Sequence, residues 1–128
     1  MGLIDHQTKP VSEKVIGAAI EVHRQLGPGL LESSYHSCLC RELELRNVHH
    51  QSEVELALEY KGVRVQKGYV IDLLIEDSLV VELKSVEKLL PIHSSQLLTY
   101  MRLRSIASGL LINFNVQVLV AGIRRLLL

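Results

Sequence analysis

Residues 69–85 read YVIDLLIEDSLVVELKS. Two apolar runs flank a short polar segment, which predicts two strands joined by a tight turn. Asp72 interrupts the first run, and Glu82 and Lys84 interrupt the second. Glu82 and Lys84 are two positions apart, so on a strand their side chains lie on the same face. Charged side chains are rarely fully buried without a partner, so all three residues require an explanation.

The length of the turn determines which side chains of this hairpin face each other. A two-residue loop pairs Asp72 with Leu83, whereas a three-residue loop at residues 76–78 pairs Asp72 with Glu82. Directly opposed residues have Cβ atoms about 4.5–5.5 Å apart. We expect the three-residue loop, which places both carboxylates and Lys84 on one face.

Two carboxylates at that distance repel each other unless one is protonated or a cation lies between them. Mg²⁺ and Mn²⁺ prefer oxygen ligands, and Mg²⁺ is often bound by one or two carboxylates with several waters. Such an ion polarises a phosphoryl oxygen and lowers the pKa of a bound water. The pattern therefore predicts metal-assisted phosphodiester hydrolysis with Asp72, Glu82 and Lys84 as catalytic residues. The alternative is a partly buried ion network that serves only structure.

Three other stretches predict helices. The first lies within residues 10–29, with Ser12 as its N-cap and apolar residues at helical spacing. The second occupies about residues 30–46. The third begins at Pro91, which suits the first turn of a helix, and runs to about residue 105.

The remaining strands complete the predicted order α-α-β-β-β-α-β. Residues 53–60 alternate between apolar and polar, as in a half-exposed strand, and residues 63–76 form the next strand with a break near residues 67–68. Residues 108–114 are apolar enough for a strand buried on both faces. The tail at residues 116–128 fits an edge strand or a helical turn. We predict an α/β fold with a four-stranded mixed β-sheet flanked by α-helices.

Further polar residues lie on one face of the predicted helices. Glu32 and Tyr35 are three residues apart, and His93, Gln96 and Tyr100 are three and four residues apart. Each also has a structural interpretation. The tyrosines fit amphipathic core positions, Gln96 fits an exposed polar position, and His93 fits a helix N-terminus.

The composition predicts one domain spanning residues 1–128. Hydrophobic residues make up 48% and charged residues 22%, and 14 basic residues balance 14 acidic ones. This balance argues against nucleic-acid binding through a generally basic surface, although a local basic patch is compatible with it. Residues 1–60 hold 5 basic and 9 acidic residues, and residues 61–128 hold 9 basic and 5 acidic. The asymmetry fits a phosphate-facing side or a solvated mixed surface.

Location and assembly follow from smaller features. Cys38 and Cys40 do not face each other on a helix, so we expect free thiols and a cytoplasmic protein. Residues 1–10 lack the apolar core of a signal peptide, and no apolar run is long enough to cross a membrane. Zero net charge and the apolar RRLLL at residues 124–128 favour a homodimer.

Several ordered blocks resemble the GxxExxY protein family, which belongs to the PD-(D/E)XK nuclease superfamily. GPGLLESSY matches the GxxExxY motif through Gly29, Glu32 and Tyr35. The blocks YVIDLLIE, VVELKSVEKLLPIHSSQLLTYMR, GLLINF and GIRRL resemble the other parts of the family pattern. The resemblance covers about residues 12–126.

The resemblance implies a restriction-endonuclease-like core with one divalent-metal site, occupied by Mg²⁺ or Mn²⁺. Asp72 matches the motif aspartate, and Glu82 and Lys84 match the acid and the lysine of (D/E)XK. Glu32 matches the helical glutamate that often joins the metal site, so the implied ligands are Glu32, Asp72 and Glu82. The motif proline is absent, since Ile71 precedes Asp72.

The resemblance also implies residues that bind substrate or support the site. Gln96 and Tyr100 match a Q-x-x-x-Y pattern found in several nuclease branches, and Tyr35 and His93 join them as candidates. We expect a metal-dependent nuclease that acts on DNA. The alternative is a catalytically inactive nuclease-fold module that binds nucleic acid or protein. The sequence leaves open DNA versus RNA and endonuclease versus exonuclease action.

Overall fold

The sheet has five strands, which a computed structural model places together with three helices over residues 10–128. The expectation that the first residues carry no signal peptide falls largely on residues outside this range. The strands lie side by side in chain order: β1 (His50–Tyr60), β2 (Val63–Ile75), β3 (Leu79–Lys84), β4 (Ser108–Asn113) and β5 (Ile123–Leu127). Among the strands described in residues 10–128, β3 and β4 are the only parallel pair. The predicted mixed sheet is confirmed, but the tail adds a fifth strand after a 3₁₀ turn at Leu119–Gly122.

The helices are α1 (Val11–Leu26), α2 (Glu32–Leu45) and α3 (Pro91–Arg104). Ser12 was predicted as the N-cap of α1, and this is wrong. Pro10 has extended backbone angles and precedes the first turn, so the helix starts two residues earlier than predicted and Ser12 lies inside it. The Ser12 hydroxyl instead accepts a hydrogen bond from Arg125 Nη1 at 3.1 Å. None of the helices in residues 10–128 combines the length and apolarity needed to cross a bilayer.

Alternation along the strands divides the core into two hydrophobic clusters. Leu73, Val81 and Leu83 pack with residues of α1 and α2 on one face of the sheet. Leu74 and Val80 pack with residues of α3 on the other face. β3 is therefore covered on both sides, which explains why its charged residues are the unusual feature of the sequence.

The β2–β3 hairpin has the predicted three-residue turn at residues 76–78. Its paired residues are Leu73 with Val81, Leu74 with Val80, and Ile75 with Leu79. The same register continued by one residue sets Asp72 opposite Glu82. The register predicted from the loop length is thus confirmed.

The strands β1 and β2 are longer than the other three, and their pairing contains an irregularity. Leu56 pairs with Tyr69, but Leu58 pairs with Val65, so β2 contains two more residues than β1 between these pairs. The break predicted near residues 67–68 is therefore a bulge within one continuous strand. We call residues 58–65, which lie beyond the bulge, the β-arm.

Candidate metal and catalytic site

Asp72 and Glu82 lie where the backbone pairing of β2 with β3 ends. Glu82 Oε2 accepts a hydrogen bond from the Asp72 amide at 2.9 Å. Asp72 Oδ2 accepts one from the Leu83 amide at 2.8 Å. Each carboxylate is therefore fixed through one oxygen by the neighbouring strand. Among the side chains that the structure describes, no further hydrogen bond engages Asp72 Oδ1 or Glu82 Oε1, so both oxygens are available to bind a cation.

The environment of these carboxylates disfavours negative charge. Glu82 is only 5% exposed. Burial, and then the charge of Asp72, raise the pKa of Glu82 to about 8. Burial also raises the pKa of Asp72, and burial and the Asp72 charge raise the pKa of Glu32. The ionised forms of three neighbouring carboxyl groups are thus disfavoured, and added positive charge would stabilise them.

Lys84 supplies part of that charge without forming a tight ion pair. Its ammonium lowers the pKa of each of the three carboxyl groups, so it lies within electrostatic reach of them all. None of the salt bridges formed between described side chains includes Asp72, Glu82 or Lys84. Among the described side chains, Lys84 and the carboxylates therefore interact at longer range than a salt bridge.

The loop before Glu32 is attached to the end of β3. Tyr35 Oη donates a hydrogen bond to the carbonyl of Gly27 at 2.5 Å and accepts one from the Leu30 amide at 3.1 Å. Ser85 Oγ, just after β3, donates to the carbonyl of Leu30 at 2.6 Å. These contacts hold Glu32, the first residue of α2, beside the end of the strand that carries Lys84.

Tyr35 supports the site from the inside of the fold. Its side chain is completely buried, and its ring stacks on Phe114 with centroids 4.5 Å apart. A fully buried ring cannot contact a substrate. Of the two roles that the resemblance leaves open for Tyr35, burial is compatible only with support.

Asn113 and Ser85 are supporting residues that the sequence analysis missed. Asn113 is buried, and its amide group accepts a hydrogen bond from the Val86 amide at 3.0 Å and donates one to the Val86 carbonyl at 2.9 Å. These bonds fix the backbone just after Lys84. An asparagine within the apolar stretch GLLINF was the signal available for it.

The polar residues of α3 fall into two groups. His93 Nδ1 accepts a hydrogen bond from the Leu90 amide at 3.0 Å and so caps the helix N-terminus. Gln96 Nε2 donates to Tyr100 Oη at 2.9 Å. Burial and the nearby charge of Glu82 raise the pKa of Tyr100. Tyr100, with Gln96 bonded to it, therefore lies within electrostatic reach of Glu82. His93 instead contacts the backbone at the start of α3.

His36 and Glu53 approach the site and were not among the predicted residues. His36 lies one helical turn after Glu32, its positive form lowers the pKa of Asp72 and Glu32, and its Nε2 is 2.7 Å from Ser52 Oγ. Glu53, on β1 next to Asp72, raises the pKa of that residue and has a left-handed φ of 55°. Such strain in a residue other than glycine is concentrated at functional sites. In the sequence, His36 could have been found from its i, i+4 spacing from Glu32, which places both on one face of the helix. The sequence contains no comparable signal for Glu53.

The acid pair fits a small divalent cation. Two carboxylate oxygens, close together and desolvated, suffice for an ion such as Mg²⁺ that retains several waters. Across residues 10–128, no three His, Cys, Asp or Glu side chains converge closely enough to hold one ion. Glu32 therefore acts on the acid pair through its charge in this structure, without forming a three-carboxylate cluster.

Comparison with known proteins identifies a family whose pattern covers most of the chain. A family model described as the PD-(D/E)XK nuclease superfamily matches residues 9–126. No curated protein matches the chain, and no solved structure matches it.

Proposed function

The chain belongs to the PD-(D/E)XK nuclease superfamily, and on that premise we propose that it is a metal-dependent nuclease that hydrolyses phosphodiester bonds in DNA. The match confirms the superfamily expected from the sequence blocks, and the narrower GxxExxY family remains a prediction. The observation that carries the proposal is the opposed pair of Asp72 and Glu82, each held by one oxygen and free at the other. We assign residues 1–128 to one nuclease domain.

Asp72 and Glu82 would hold the cation, with Mg²⁺ or Mn²⁺ as the ions that suit their oxygen donors. When bound, the ion supplies Lewis-acid polarisation of a phosphoryl oxygen and a lowered pKa for a bound water. Glu82 must be ionised to act as a ligand, and its raised pKa means that metal and proton compete for it. Glu32 adds negative charge at longer range and is proposed as an outer member of the site.

Lys84 orients the attacking water or stabilises the negative charge that develops on the phosphate. Lys84 forms no salt bridge with the described carboxylates, so its ammonium donors remain available to substrate. This supports the proposed role. Tyr100 and Gln96, joined by their hydrogen bond, are proposed to contact the substrate beside the acid pair. Tyr35 and His93 are proposed as supports, through the loop before Glu32 and the start of α3.

Cleavage of labelled single-stranded, duplex and branched DNA, with RNA in parallel, tests the proposal. We expect cleavage with Mg²⁺ or Mn²⁺ that is lost in Asp72→Ala and Lys84→Ala. Glu87→Gln, an exposed acid beyond β3, is the control and should retain activity. Full activity in both site variants would refute the assignment of these residues.

A catalytically inactive nuclease-fold module is the second candidate, and one observation favours it. The carboxylates described in residues 10–128 do not gather into a three-ligand cluster. Calorimetry with Mn²⁺ separates the two candidates. Saturable binding that is lost in Glu82→Ala supports the nuclease, whereas the absence of binding and of turnover at millimolar metal supports the inactive module.

Two further assignments accompany the proposed activity. Free thiols at Cys38 and Cys40 support a cytoplasmic location. The exposed edge strand β5, whose Leu127 is 76% exposed, supports a homodimer formed along that edge. A single monomer mass across concentrations in light scattering would contradict the dimer.

A further inference from the structure

An aromatic cleft lies between α3 and the strands β1 and β2, and neither Asp72 nor Glu82 lines it. Its volume is about 180 Å³. It is lined by residues of β1, β2 and α3: Leu58, Tyr69, Gln96, Thr99, Tyr100 and Leu103. This volume is below the range of about 300–1,000 Å³ typical of pockets for drug-sized molecules. The cleft therefore suits one ring system and not a larger ligand.

Tyr69 forms the solvent-exposed side of this cleft. Its side chain is 45% exposed, and its ring centroid is 6.1 Å from that of Tyr100 at an angle of 48°. Tyr100 is buried in the same hydrophobic cluster as Ile71, the residue before Asp72 on β2. Tyr69 lies three residues before Asp72 on the same strand. The cleft therefore lies near the segment of β2 that carries Asp72.

Positive charge lies near the cleft. Arg104 follows Tyr100 by four residues on α3, so both side chains leave the same face of the helix. Arg104 and Arg64 line a neighbouring groove of about 390 Å³, together with Glu55. Among the described side chains, neither arginine forms a salt bridge. The groove therefore has an excess of one positive charge and can accept a phosphate.

We propose that the substrate strand enters this site unpaired, with one base stacked on Tyr69 in the cleft and its backbone continuing to Arg104. This inference rests on the proposed nuclease function and names its substrate class as single-stranded DNA or an unpaired segment of DNA. Bases in a duplex are stacked on each other and cannot enter a cleft without being extruded. Aromatic side chains that stack on successive bases beside a basic groove are typical of proteins that bind single strands.

Binding experiments test the inference separately from cleavage. Fluorescence anisotropy with labelled single-stranded DNA, blunt duplex DNA and single-stranded RNA is measured in EDTA, so that no hydrolysis occurs. We expect single-stranded DNA to bind at least about tenfold more tightly than the duplex. Tyr69→Ala should weaken single-strand binding by about 5- to 150-fold, the range for loss of one stacked base. Tyr69→Phe keeps the ring and should bind within about twofold of the wild type.

Two other variants sharpen the test. Tyr60→Ala removes an exposed tyrosine of the β-arm outside the cleft and should leave binding unchanged. Arg104→Ala should weaken binding and reduce the slope of log affinity against log salt by about 1. Circular dichroism of each variant checks that it is folded.

The inference is overturned if Tyr69→Ala binds single-stranded DNA as tightly as the wild type, or if the blunt duplex binds as tightly as the single strand. Tighter binding of RNA than of DNA would overturn the choice of DNA. Failure of the nuclease proposal gives a different result, namely binding that depends on Tyr69 without cleavage in any metal. If cleavage requires Lys84 but binding does not depend on Tyr69, the proposed nuclease function stands and the proposed stacking site is refuted.

Discussion

Protonation of Glu82 should control the stability of the metal-free protein. Its pKa is raised from the ordinary 4.5 to about 8, chiefly by burial. Each pKa unit corresponds to about 1.4 kcal/mol, so the ionised form destabilises the fold by about 5 kcal/mol relative to the protonated form. This is a large fraction of a typical free energy of unfolding of about 5–15 kcal/mol.

The sign of the effect follows from the direction of the shift. A carboxyl group with a raised folded-state pKa contributes its full stability below the unfolded pKa of 4.5 and loses it as the pH rises through about 8. About 4 kcal/mol of this loss falls between about pH 5 and about pH 9. Glu82→Gln removes the ionisation but keeps an oxygen that can accept the hydrogen bond from Asp72.

Urea unfolding in EDTA at several pH values measures this effect directly. The wild type should lose about 4 kcal/mol from about pH 5 to about pH 9, and Glu82→Gln should lose much less. Glu87→Gln, which changes an exposed acid, should follow the wild type. A wild type whose unfolding free energy is flat over this range, or a Glu82→Gln variant with the wild-type slope, would refute the reasoning.

Other perturbations give equally specific results. Tyr35→Phe should lower the free energy of unfolding by about 1–3 kcal/mol in urea, because the loop before α2 loses both contacts to a buried hydroxyl. Gly122→Ala should reduce the melting temperature more than Gly109→Ala, since the added methyl group meets the backbone oxygen of Asn113 in the first case and the movable sulfur of Met101 in the second. Mn²⁺ at about 100 times its dissociation constant should raise the free energy of unfolding by about 2.7 kcal/mol. That gain should require a higher Mn²⁺ concentration at pH 5 than at pH 9, because protons compete for Glu82.

The hairpin shows how much of the site was predictable from the sequence. The apolar runs fix β2 and β3, and the three residues between them fix the register that opposes Asp72 and Glu82. Local periodicity and loop length carry this information, so no tertiary contact is needed to infer it. The two helices before the sheet and the crossover helix α3 follow from equally local signals, including Pro91 at the first turn of α3.

The supports of the site depend on tertiary contacts and could not be inferred in the same way. Ser85 bonds to Leu30 across 55 positions of the chain. Tyr35 stacks on Phe114 from a different element of the fold. Neither spacing nor composition encodes which distant partner a side chain meets, so Asn113 and the bond from Ser85 emerged only from the structure.

The tail was predicted only as an edge strand or a helical turn, and the N-cap predicted for α1 is wrong. Residues 116–128 contain both a 3₁₀ turn and a short edge strand, and a five-residue strand has too few alternations to be distinguished by pattern. The start of α1 differs by two positions because Pro10 fixes the preceding backbone, which overrides the capping preference of Ser12.

Asp72 and Glu82 are proposed to hold one divalent cation together. Anomalous diffraction from a crystal soaked in Mn²⁺ above pH 8 tests this assignment, because Glu82 is then largely ionised. We expect one strong anomalous peak within bonding distance of Asp72 Oδ1 and Glu82 Oε1, and no such peak in Glu82→Gln. A Mn²⁺ peak elsewhere, with no peak between these two carboxylates, would show that the pair does not hold the ion.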